Sequence, residues 1–154
     1  MEAPRARRLI RRLRTARLRD VPEGLVVLLV AARIEHSLRR HQLTDTARIA
    51  HVGLSDDPAP AGDDEREAVA GVLPPWALRR AYLVSLIMRG WPFGDTCLRR
   101  ALVTGHRLSA LSPVLVLGVR SPSQEGPLAH AWLRIDGIEM DVLSQEFTEL
   151  TIPS

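Results

Sequence analysis

The chain contains one cysteine, Cys97, and five histidines. Cys97 can be joined to His130 and Asp141 in a single chemistry: nucleophile, base and orienting acid. Cys97 follows the turn-like run Trp91-Pro-Phe-Gly-Asp-Thr96. Asp95 and Thr96 are N-capping types, so a helix is expected over 97–108 with Cys97 in its first turn. Free backbone N–H groups and the helix dipole favour a thiolate there, and an imidazolium beside it adds to the effect. The same N–H groups could hold the oxyanion of a tetrahedral intermediate.

His130 and Asp141 are related through a hairpin. Asp136-Gly137 is a strong type I′ turn signal between apolar runs at 128–135 and 138–143. With those two residues as the turn, Ile135 pairs with Ile138, Trp132 lies opposite Asp141, and His130 lies opposite Leu143. Alternation puts His130, Trp132, Arg134, Glu139 and Asp141 on one face. The other face carries Ala131, Leu133, Ile135, Ile138, Met140 and Val142, all apolar, and reads as a core face. His130 and Asp141 become diagonal neighbours within side-chain reach. A carboxylate accepting from one imidazole nitrogen fixes the tautomer and leaves the other nitrogen as base.

Taken singly, each residue has a plainer reading. A lone cysteine is more often a small core residue, a strand histidine is usually structural, and a hairpin aspartate can be merely solvated. It is the agreement of cap, register and spacing that favours chemistry. His106 stands nine residues after Cys97 on the same expected helix. At about 100° per residue it points the opposite way, so it is not the expected base. His36, His41 and His51 show no metal-ligand pattern and read as surface residues. Arg134 and Glu139 are expected to pair across the hairpin. Trp132 reads as packing beside His130, and Trp91 and Phe93 either wall a cleft or brace the helix start.

The positioning elements follow from periodicity. Asp20-Val-Pro-Glu23 reads as a capped helix start, with a helix expected over 21–40 and a short one over 44–52. Residues 9–18 carry apolar positions at helical spacing among arginines. Residues 55–64 are rich in proline, glycine and acid and read as a surface loop. Helices are expected over 65–73 and 76–89, a buried strand over 114–120, and a loop over 122–127. The tail gives no signal. The expected fold is α+β: a helical N-terminal half, a Cys97 helix, and a short antiparallel sheet. Residues 1–60 form a helical region suited to partner docking, and 61–154 the catalytic region.

Composition narrows the class. At 154 residues, 45% hydrophobic and 25% charged, the chain suits one globular domain able to bury a core without disulfides. One cysteine excludes an internal disulfide and a multi-cysteine zinc site, and points to a reducing cytoplasm. All 21 basic residues are arginine, yet formal net charge is only +3. With 4% aromatics and no reading motif, nucleic acid is not the expected partner. Eight arginines lie in residues 1–19. They fit a solvated helix face, a docking surface for an acidic partner, or contact with a membrane surface or nucleic acid. The most apolar run, 24–32, is nine residues long. That is too short for a bilayer, which takes about 20, so no transmembrane segment is expected.

The strings Cys97-Leu-Arg-Arg-Ala-Leu, Leu117-Gly-Val-Arg120, Ala129-His-Ala-Trp-Leu133 and Asp136-Gly137 resemble one family: the leader peptidases of lasso-peptide biosynthesis. These carry a transglutaminase-like domain, related in arrangement to papain. The resemblance covers 76–141 specifically and the leucine- and arginine-rich N-terminal half more loosely. It implies a cysteine peptidase that removes the leader from a ribosomally made precursor, before a separate ATP-dependent macrolactam synthetase closes the ring. The family's nucleophile matches Cys97, its base His130 and its acid Asp141. Some members carry a fused leader-recognition domain with a β-ribbon. No strand pattern occurs in 1–60, so the split form is expected, with a separate recognition protein and, further, the synthetase as partners.

The expected mechanism is acyl transfer through a Cys97 thioester resolved by water, with no metal and no cofactor. His130 serves first as base and then as acid. Two rivals remain open: an amide-forming acyltransferase on the same triad, and a non-catalytic module that holds a peptide.

Overall fold

The computed structural model describes residues 20–55, 73–120, 129–141 and 147–150. The expected elements at 9–18 and 65–72, the loops at 56–64 and 122–127, and the pairing partner Leu143 lie outside these residues. Helix α1 spans Val21–Arg40 and α2 spans Leu43–Ile49. A two-residue strand β1, Gly53–Leu54, follows. Helix α3 is Pro75–Met88 and α4 is Cys97–Arg107. Strands β2 (Val114–Val119), β3 (Ala129–Ile135), β4 (Ile138–Glu139) and β5 (Thr148–Glu149) complete the sheet. The fold is α+β, as expected.

Helix α4 occupies the middle. It packs against α1 and α3 on one side and against β2 and β3 on the other. Five consecutive residues, Ala101 to Gly105, are buried as a result. Small side chains allow that approach. A Cβ at Gly105 would lie 2.5 Å from Val52 Cγ2 and 3.4 Å from a methyl of Leu133. The stripe Val27, Val30, Ala31 and Ile34 turns α1 toward the same core. Helix α3 adds Val84 and Met88 to it.

The sheet runs β1-β2-β3-β4, with β5 also on β2. Strands β2 and β3 pair antiparallel from Val114↔Arg134 to Val119↔Ala129. The β3–β4 hairpin pairs Arg134 with Glu139 and Ile135 with Ile138. Asp136 and Gly137 both have positive φ, 50° and 78°, which is the type I′ geometry.

Three features depart from expectation. The sheet is mixed, because β1 runs parallel to β2. Backbone hydrogen bonds make the pairing, Gly53 N–H to Pro113 O at 2.9 Å and Ser55 N–H to Leu115 O at 3.1 Å. Two residues carry no periodicity, so neither this strand within the first 60 residues nor β5 in the tail could be read beforehand. Third, Asp20 makes no side-chain cap on α1. It pairs instead with Arg79 of α3, and Glu23 receives Arg107 of α4 at 2.6 Å. The local acid signal marks the helix start correctly, but the charges serve contacts between helices.

The deepest charge on α1 is Glu35, whose side chain is 5% exposed. It accepts from Arg99 of α4 at 2.6 Å and from Arg39 at 2.8 Å. The Arg99 hydrogen bond holds its carboxyl below the usual 4.5, and outweighs burial, which acts the other way. A lowered folded-state pKa contributes stability in full above about 4.5, and that contribution is lost as pH falls through the folded value. Glu35→Gln cannot titrate there. The stability gap between wild type and Glu35→Gln, from urea unfolding, is therefore expected to be widest near neutrality and to narrow below about pH 4.5. A gap independent of pH would contradict the assignment.

Candidate active site

Thr96 is the N-cap of α4, in extended conformation, and its side chain accepts from the backbone N–H of Arg99 at 3.3 Å. Cys97 is therefore the first helical residue, as its neighbours predict. Its half-buried thiol lines a cleft of about 190 Å³. Arg100, Ala101 and Thr104 line the same cleft one and two turns on. They form one stripe of α4 at helical spacing.

His130 and Asp141 also line this cleft. His130 Nε2 lies 2.7 Å from Asp141 Oδ2. A carboxylate only accepts, so the imidazole donates from Nε2, and Nδ1 is left as the atom able to take a proton. The hairpin reaches this bond with little ladder. Strand β4 ends at Glu139, and Met140 N–H to Leu133 O at 2.8 Å carries the register one step further. Asp141 then stands diagonal to His130, as the turn type requires.

Alternation along β3 decides which side each group occupies. Leu133 abuts α4 at Gly105, so Ala131 and Ile135 share its face. His130, Trp132 and Arg134 take the opposite face. Cys97 thus comes from the helix side while His130 and Asp141 come from the far face, and all three line one cleft beyond the end of β4. Among the described residues no hydrogen bond joins Cys97 to His130.

The far face is also covered. The His130 ring stacks on Trp132, with centroids 5.8 Å apart, and meets Phe147 at 5.1 Å. Trp132 is 3% exposed, so it packs rather than presenting a platform. Its ring and Phe147 press on bare backbone at Gly118, where a Cβ would stand 2.7 Å from the indole and 2.8 Å from Phe147. Arg134 pairs with Glu139 at 2.6 Å, as expected, and also with Glu149 of β5.

The other candidates lie elsewhere. His106 sits near the far end of α4 beside His51, ring centroids 5.6 Å apart, and burial lowers its pKa. His36, His41 and His51 are exposed. Trp91 and Phe93 meet edge to face at 5.9 Å with Arg39 over Phe93, so they brace the turn before α4. Among the described residues no group of three or more His, Cys, Asp or Glu is placed to hold a metal ion. None of their helices is long and apolar enough to cross a membrane.

Residues 25–151 match the family model described as the transglutaminase-like superfamily. The chain belongs to this superfamily. Its domain type brings cysteine-dependent peptidase or acyltransferase chemistry. No curated protein and no solved structure matches the chain. The match begins within α1 and continues past β5, so most of α1 falls inside the family domain.

The packing roles of Phe147 and Gly118 and the Glu35–Arg99 pair were not expected from the sequence. Phe147 and Gly118 lie far from the hairpin in sequence and gain meaning only through sheet pairing. Glu35 had one sequence signal: a carboxylate one turn after Ala31 on the apolar stripe of α1. Gly118→Ala should displace Trp132 and Phe147 from His130. We expect a loss of about 1–3 kcal/mol in urea unfolding, with altered tryptophan emission. Wild-type stability and emission would contradict this packing.

Proposed function

We propose that the protein is a cysteine peptidase that removes the leader from a ribosomally made lasso-peptide precursor. The observation that carries the chemistry is the His130–Asp141 bond at 2.7 Å in a cleft shared with Cys97 at the start of α4. The lasso-peptide assignment rests on the sequence resemblance over 76–141.

In this reading His130 Nδ1 takes the thiol proton while Asp141 holds the ring through Nε2. Cys97 attacks the scissile carbonyl, and backbone N–H groups at the start of α4 stabilise the oxyanion. His130 returns the proton to the leaving amine, leaving a thioester on Cys97. Water activated by His130 then releases the leader acid and regenerates the thiol. None of these steps calls for a metal or cofactor.

Partner roles divide along the chain. The arginine-rich N-terminal region, within 1–60, docks a separate leader-recognition protein, and the remainder performs cleavage in the cytoplasm. The macrolactam synthetase is the next enzyme to receive the product. Superfamily membership also favours a second reading, an acyltransferase that resolves the same thioester with an amine.

Incubation with a candidate precursor, with and without the recognition protein, tests these readings by mass spectrometry. Hydrolysis predicts two fragments whose summed mass exceeds the precursor by one water; transfer to an amine lacks that water. Cys97→Ala and His130→Ala should each lower cleavage by at least about 10²-fold while retaining wild-type circular dichroism. Unimpaired cleavage by either variant would refute the assignment.

A further inference from the structure

Cys97 and Arg99 occupy the first turn of α4 together. Arg99 leaves that turn toward α1 and meets Glu35 through two bonds, Nε to Oε2 at 2.6 Å and Nη2 to Oε1 at 3.3 Å. The Glu35 side chain is 5% exposed and that of Arg99 24% exposed. Arg39 also donates to Oε1, at 2.8 Å. On the cleft side, Asp95 holds Arg100, with Nε to Oδ1 at 3.0 Å. The turn that presents Cys97 is therefore gripped on two sides.

The inner grip is unusual for its position. Glu35 stands beside the apolar stripe that packs α1 into the core, where a leucine would pack without the cost of burying charge. An apolar contact would tolerate small sliding and rotation between the helices. A two-point arginine–carboxylate contact has a narrow geometry, so it sets both. Glu23 and Arg107 make a second contact between the same helices at the other end of α4. Of these two contacts between α1 and α4, the Glu35–Arg99 one lies in the turn of Cys97.

We propose that Glu35 is a positioning residue: through Arg99 it fixes the first turn of α4, and so the direction in which Cys97 Sγ enters the cleft. This rests on Cys97 being the nucleophile, but its test needs no substrate. For removal of Glu35, charge alone and positioning predict opposite signs. Removing a carboxylate favours a thiolate through charge alone, which would speed alkylation. Loosening the helix start withdraws N–H groups and dipole from the sulfur, which slows it.

The experiment is iodoacetamide alkylation of Cys97 in the full chain, followed by intact mass across about pH 5 to 9. Glu35→Gln and Arg99→Gln are each expected to slow alkylation near neutrality by about 3- to 10-fold and to move the rate curve to higher pH. The double variant should be no slower than either single one, because the two act as one unit. Arg39→Gln, which removes the exposed partner of Glu35, should leave the curve in place. If Glu35→Gln does not fold, Arg99→Lys, which keeps the charge but loses the two-point contact, carries the comparison against Arg39→Gln. Alkylation as fast as wild type in the folded variants would overturn the proposal, whatever their melting temperatures. Additive slowing in the double variant would overturn the route through Arg99. A protein that cleaves no peptide would still give a clear answer, so failure here is distinct from failure of the peptidase reading.

Discussion

The position of α4 governs the rest of the molecule. It is buried between α1 and α3 on one side and the sheet on the other, yet its first residue must face an open cleft. That combination demands a polar, well-capped start followed by small and apolar side chains. Thr96 supplies the cap, and the small residues Ala101 and Gly105 lie within the buried length. Charged contacts from α1 hold both ends, Glu35 on Arg99 and Glu23 on Arg107. Helix α1 therefore belongs to the core that positions Cys97.

The hairpin is the second determinant. Two residues in left-handed conformation, Asp136 and Gly137, set the register of everything after them. A slip of one residue would send Asp141 to the other face and leave His130 without its carboxylate. Trp132, Phe147 and the bare backbone at Gly118 then pin the imidazole from the side. Orientation of His130 thus combines one directional bond with aromatic packing.

How much of this could be read from the sequence depends on the range of the interaction. Helices α1 and α4 and the β2–β3–β4 meander follow from local signals: caps, apolar spacing and a turn type. The His130–Asp141 pairing follows as well, because a two-residue turn converts sequence distance into register. Elements defined by distant partners were not readable. Strands β1 and β5 are two residues each and exist through pairing with β2. Asp20 and Glu23 satisfy a local capping pattern, but arginines on α3 and α4 claim them. Sequence also gave no view of the two sides from which Cys97 and His130 approach the cleft.

In the proposed mechanism Cys97 is a nucleophile activated by His130. Trapping with a peptide that ends in a cysteine-directed electrophile tests it most directly. One label per chain is expected, located at Cys97 by fragment mass, with labelling slowed by at least about 10-fold in a folded His130→Ala variant. Labelling that proceeds at the same rate without His130, or no labelling of Cys97 in the wild-type protein, would contradict it.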